Sequence, residues 1–149
     1  MLAHTLSIEI FISPDENIDS IKDKFLKLFP FDFEEEEITL QEDTASGFNQ
    51  KRIKIFRVNL SKKRHVNAFL LNMVKNLQNR MRELILNQAE RRLDENFNFF
   101  LRFDKTKLLN ENIFQLTEQG DCILIKFKIA AFPKNKQNAL DIINELLSR

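Results

Sequence analysis

The chain has 149 residues, of which 43% are hydrophobic and 30% charged, with a formal net charge of +1. These proportions describe one ordinary globular domain over residues 1–149, and near-neutrality removes any global electrostatic argument for nucleic acid. Two glycines exclude a glycine-rich phosphate cradle, and the lone Cys122 excludes an internal disulfide and fits a reducing cytosol. With no targeting pattern, and no run near the ~20 apolar residues of a membrane span, the expected location is cytoplasmic.

Residues 4–12 alternate, with Leu6, Ile8, Ile10 and Ile12 on one face and Thr5, Ser7, Glu9 and Phe11 on the other. That is a half-buried strand. Ser13 reads as a helix N-cap, with Pro14 at the first helical position and Glu16 closing a capping box. Ile18, Ile21, Phe25 and Leu28 give the helix a buried stripe, and Pro30 ends it. The acidic segment 31–43 reads as extended, with Ile38 and Leu40 alternating. Residues 44–50 read as a turn and 51–60 as a strand, giving a hairpin around Gly47 whose acidic and basic arms pair.

Ser61 is the expected cap of the next helix. Apolar residues from Val66 to Ala89 then recur at spacings of three and four, with no Gly or Pro between 61 and 96. One continuous helix of about 50 Å outgrows a compact domain of this length, so the spacing predicts a break near Asn76–Asn79. The competing reading is a coiled-coil arm.

The next segment, DENFNFFLRFDK, has two distinct faces. Phe97, Phe99, Leu101 and Phe103 fall on one side, and Asn98, Phe100 and Arg102 on the other. Residues 105–112 read as a polar connector with a helical turn. Residues 113–118 and 121–132 read as a hairpin over Gln119-Gly120. In its second arm Ile123, Ile125, Phe127 and Ile129 face the core, while Leu124, Lys126 and Lys128 face away. Pro133 stops this strand, and residues 135–148 form a last amphipathic helix. The predicted fold is α+β: a single domain with a mixed, largely antiparallel sheet and helices packed on one face.

Catalytic signatures are absent from the sequence: no G-x-S-x-G, Walker A, G-x-G-x-x-G or H-E-x-x-H. The expectation is therefore a non-enzyme without cofactor or metal. Carboxylates in the Glu34–Glu37 run would point to alternate faces of a strand and read as a solvated acidic edge. His4 and His65 read as ordinary surface residues, and Cys122 as structural.

Charge is segregated locally. Residues 32–43 carry only acidic groups, whereas Lys51, Arg52, Lys54, Arg57, Lys62, Lys63 and Arg64 are all basic. Arg91, Arg92, Arg102, Lys105 and Lys107 form a second basic group. Such clusters beside aromatic strands bind phosphates and stack bases, or they neutralise acidic neighbours in the same molecule. A stacking ring would come from Phe11, Phe56 or Phe100. All 15 aromatic residues are Phe, so none brings a hydrogen-bonding handle.

The C-terminal half, ERRLDENFNFFLRFDKTKLL and then ILIKFKIAAFPKNKQNALDII after a Gly turn, resembles an archaeal family of small proteins. These carry the labels "RNA-binding" and "predicted exosome subunit". Arg91, Arg92, Asp94, Leu101, Arg102, Asp104, Lys105, Phe132 and Pro133 carry the resemblance. The chain departs from the family pattern after Asp104-Lys105, at Thr106, Lys107, Leu108 and Leu109. The resemblance implies a fold similar to ribosomal proteins that bind 5S rRNA. It also implies a non-catalytic RNA-binding accessory role in RNA processing, linked to the exosome. On that reading Arg102, Lys126 and Lys128 meet phosphates, Lys105 and Lys107 stand at the rim, and Phe100 stacks. The alternative is a protein-interaction module that forms a homodimer through the same face, with no RNA role.

Overall fold

A computed structural model describes residues 2–46 and 52–149. Five strands, β1 (Ala3–Ile12), β2 (Gln41–Ser46), β3 (Arg52–Leu60), β4 (Asn98–Asp104) and β5 (Cys122–Ile129), form one sheet in the order β2-β3-β1-β5-β4. Every pairing is antiparallel. Among the described residues six helices complete the α+β fold: α1 (Ile18–Leu26), α2 (Lys63–Asn76), α3 (Asn79–Asn87), α4 (Ala89–Arg92), α5 (Lys105–Glu111) and α6 (Lys136–Leu147).

Strand alternation sorts the sheet into two faces. Leu6, Ile8, Ile10, Ile12, Phe56, Val58, Leu60, Phe99, Leu101, Phe103, Ile123, Ile125, Phe127 and Ile129 are all buried. They join the buried stripes of the helices, among them Phe25, Phe69, Met73, Ile85 and Ile143, in one core. Each such side chain contributes about 1.5–3 kcal/mol on burial. Phe56 therefore belongs to the core, where its ring lies 6.5 Å from that of Phe25.

The expected break in the long helical segment is present. Leu77 and Gln78 are both extended, with ψ of 130° and 151°. The guanidinium of Arg82 donates to the carbonyls of Val74 at 2.6 Å and Leu77 at 3.4 Å. The Val74 carbonyl also accepts from the Leu77 amide at 3.1 Å, so Arg82 adds a second donor where the helix is interrupted.

Several boundaries differ from the sequence expectation. Ser13 and Glu16 do bond reciprocally, with Glu16 Oε1 accepting from the Ser13 amide at 3.0 Å and the Glu16 amide donating to the Ser13 carbonyl at 3.1 Å. They close a turn before the helix, however. The true N-cap is Asn17, whose Oδ1 accepts from the Ser20 amide at 3.1 Å. Ser61 does not cap α2; Lys62 holds that position with no side-chain bond.

The acidic segment is not a strand before Gln41. Phe31 and Phe33 pack on Phe29, with ring centroids 5.9 and 4.9 Å away, and pull the chain into turns. Asp32 Oδ1 accepts from the Glu35 amide at 2.9 Å, and the Ile38 amide donates to the Phe33 carbonyl at 2.9 Å. Thr44–Ser46 belong to β2 rather than to a turn, and the predicted Gly47 turn lies outside the described residues.

Residues 113–118 form no full strand but a single bridge, Phe103↔Leu116. The amides of Asp104 and Thr117 donate to the carbonyls of Gln115 and Arg102 at 2.8 and 3.0 Å, so this segment covers the outer edge of β4.

Phe97 was expected in β4 on the core face. It instead precedes the strand in a left-handed conformation, φ 66°, and is half-buried. An Asp94 turn holds it there. Asp94 Oδ1 accepts from the Asn96 and Asn98 amides at 2.9 Å each, and the Asp94 amide donates to the Asn98 carbonyl at 2.9 Å. Burial pushes the Asp94 carboxyl up, but the hydrogen bonds from Asn98 and Asn96 outweigh it and hold the group below its ordinary value.

Candidate nucleic-acid interface

Four of the predicted site residues converge on the free face of β4 and β5. The register pairs Asn98 with Lys128, Phe100 with Lys126 and Arg102 with Leu124. Residues opposite or diagonal across two strands are neighbours on one face, so Arg102, Lys126, Lys128 and Phe100 form one patch. Arg102 and Lys126 are exposed, whereas Phe100 and Lys128 are half-buried. Among the described residues none of the three cations makes an ion pair. Phe11 shares this face and is 42% exposed.

Other predicted residues lie elsewhere. Lys105, expected at the rim, is 3% exposed. Its ammonium donates to Glu16 Oε1 at 2.7 Å and to the Phe11 carbonyl at 2.8 Å. Asp104 explains the inward turn: it is the N-cap of α5, with Oδ1 accepting from the Lys107 amide at 2.9 Å, so Lys105 starts a helix instead of a loop. Burial pushes the Glu16 carboxyl up, yet the Lys105 and Ser13 hydrogen bonds outweigh it and hold the group below its ordinary value. Lys107 is exposed in the first turn of α5.

Within the second basic group, Arg92 is buried. It donates to Gln88 Oε1 at 3.0 Å and to the Phe100 carbonyl at 3.3 Å, and it lies 3.4 Å from Glu118. Burial lowers its pKa. Exposed Arg91 pairs with the same Glu118 at 3.0 Å. The two arginines border a depression that Phe100 and Arg102 also line.

The opposite half of the sheet face is electrostatically closed. Arg57 donates to Glu9 Oε2 at 2.9 Å and lies 3.5 Å from Asp43. The hydrogen bond it donates to Glu9 raises its pKa. Behind it, Glu36 accepts from Arg64 at 2.8 Å, and that bond holds its carboxyl low. His65 was expected at the surface. It is buried beneath Phe31, 5.2 Å between ring centroids, with Nε2 at 3.5 Å from Glu36. Cys122 is half-buried, and burial pushes its thiol up. Among the described residues no three His, Cys, Asp or Glu groups converge on a metal-sized site, and no helix is long and apolar enough to cross a membrane.

A groove of about 480 Å³ crosses the middle of the face between these two halves. Its walls include Ser7, Glu9, Arg57, Asn59, Asn98 and Lys126. Ser7 and Asn59 carry neither charge nor an aromatic ring, so composition does not single them out. Their signal was the alternation itself, which puts them on the same face as Glu9 and Arg57.

A helix-backed antiparallel sheet, with cations and Phe rings on its open face, defines an α+β sheet protein. A family model described as RNA binding matches residues 5–129, and the chain belongs to that family. It is 26% identical over 145 residues to RNA-binding protein PAB1135 of Pyrococcus abyssi, covering 97% of this chain and 94% of that one. Its fold is similar to that of protein AF2318 from Archaeglobus fulgidus, with TM-score 0.82, 23% identity and coverage of 97% and 99% of the two chains. Mth689, a DUF54 protein from Methanothermobacter thermautotrophicus, is similar at TM-score 0.79 and 25% identity, with 99% of each chain covered. These relatives are archaeal, in line with the family resemblance of the C-terminal half.

Proposed function

We propose that the open face of β4, β5 and β1 binds RNA without catalysing a reaction, as a cytoplasmic accessory of RNA processing. The observation that carries this reading is the convergence of Arg102, Lys126 and Lys128, free of ion pairs, around Phe100 on an uncovered face. Cations that folding leaves unpaired release counterions when they meet phosphates, which gives affinity without a basic net charge. The family description supports RNA as the ligand. A link to the exosome is supported by the resemblance alone. Lys107 is the remaining exposed cation of the proposed set, and Lys105 supports the face from within.

The test is fluorescence anisotropy with a structured RNA across a salt series. Binding at low salt that weakens steeply as salt rises is expected; no binding at low salt removes the proposal. A second reading rests on Phe11, which pairs across the sheet with half-buried Ile55 and gives the same face an apolar corner. A homodimer through that corner would persist in high salt on sizing and dissociate on Phe11→Asp.

A further inference from the structure

One row across the open face carries more than charge. Phe100 pairs with Lys126, Lys126 with Ser7, and Ser7 with Asn59. The four residues thus stand side by side on the adjacent strands β4, β5, β1 and β3. With strands about 4.8 Å apart, the row runs about 14 Å from ring to amide. Lys126, Ser7 and Asn59 lie in the central groove, whose volume of about 480 Å³ is that of a small-ligand site. Two other polar groups in the groove are already engaged, Arg57 by Glu9 at 2.9 Å and Asn98 Nδ2 by Asp94 at 3.3 Å, while the hydroxyls of Thr5 and Ser61 stand at its margin. Among the described residues, no hydrogen bond occupies the Ser7 hydroxyl or the Asn59 amide.

We propose that this row reads an unpaired dinucleotide step of RNA, an inference that rests on the RNA-binding reading above. One base stacks on Phe100, and the phosphate between the bases meets Lys126. The second nucleotide enters the groove, where Ser7 and Asn59 hydrogen-bond its 2′-hydroxyl and base edge. The order of chemistry along the row selects an unpaired strand over a duplex. A base inside a duplex has both faces covered by its neighbours and its pairing edge occupied, so it offers nothing to a ring or an amide. A hydroxyl and an amide supply both donors and acceptors, which suits base edges and a 2′-hydroxyl. A duplex held through its phosphates would use Arg102, Lys126 and Lys128 and leave Ser7 and Asn59 untouched.

The experiment compares a short single-stranded RNA with its blunt duplex by fluorescence anisotropy at low salt, using the full chain. The single strand is expected to bind at least about tenfold tighter, and Ser7→Ala with Asn59→Ala to weaken it about tenfold while leaving duplex binding unchanged. Ser7 is half-buried and Asn59 exposed, so the double variant retains the core, which a thermal melt checks. Duplex binding as tight as the single strand, or an unchanged double variant, overturns the dinucleotide row and leaves RNA binding standing. Failure of both probes to bind overturns the two readings together.

Discussion

At the end of β4, Lys105 turns inward onto Glu16 and the Phe11 carbonyl. One strand over, Lys126 projects from the open face and meets no carboxylate within ion-pair distance among the described residues. Both lysines border the same aromatic segment and look alike in sequence. What separates them is the facing element. The turn after β1 brings Glu16 against α5, whereas β1 sets Ser7 beside Lys126, and the Asp94 carboxylate feels the Lys126 charge only from beyond ion-pair distance. A cation satisfied by folding has little left for a phosphate, while one left open by folding contributes its full charge to a partner. The same contrast divides the sheet, since Arg57 is held between Glu9 and Asp43 and Arg102 is not.

Substitutions test this contrast directly. The largest effect is expected from reversing the open cations together. Arg102→Glu, Lys126→Glu and Lys128→Glu should lower RNA affinity at least about 100-fold, with stability within about 1.5 kcal/mol of wild type. Wild-type affinity in the triple variant would erase the distinction between the two classes of cation. Lys105→Ala should do the opposite. Loss of a buried partner, discounted because Glu16 is partly exposed, should cost about 2 kcal/mol in urea unfolding and leave RNA affinity unchanged.

A smaller effect separates the pair in salt. Lys126→Ala should reduce the slope of log affinity against log salt by about 0.7, the value for one phosphate of a single strand, and Lys105→Ala should not change it. The smallest effect is in pH. Glu16 titrates below its ordinary value in the folded chain, so its stabilisation is present above about pH 4.3 and fades as pH falls through the folded value. The difference in urea midpoint between wild type and Glu16→Gln should therefore be constant near neutrality and shrink on acidification below that point.

Much of the face was legible from residue order because strand alternation needs no knowledge of partners. It placed Phe99 and Phe103 inward and Phe100, Arg102 and Lys126 outward. The α2–α3 break was legible from length alone. Lys105 escapes the pattern because residues 105–112 read as a polar connector with only a helical turn, although the sequence shows both Asp104 as a cap and Leu108 one turn on. The acidic segment was misread because its alternation is shared by a run of turns, and only the Phe29 cluster, formed at long range, decides between them. Ser13 and Asn17 are both sound caps lying one turn apart, and local chemistry does not rank them. Phe97 continued the alternation of β4 in sequence while the backbone had left the strand geometry.

That last residue has a consequence for the whole surface. An alternating strand can be laid down in either of two phases, and a slip of one residue would send Arg102 inward and Leu101 out to water. The Asp94 turn settles the phase. Its carboxylate gathers the Asn96 and Asn98 amides, and Phe97 accepts a left-handed conformation that costs about 1–2 kcal/mol in an L-residue, so that β4 enters the sheet at one fixed index. Beyond it the Phe97 carbonyl accepts from the Ile129 amide at 2.9 Å, locking that index to β5. Which residues the solvent meets along β4 is thus decided at an acidic hinge pin ahead of the strand, by a side chain whose task is alignment rather than contact.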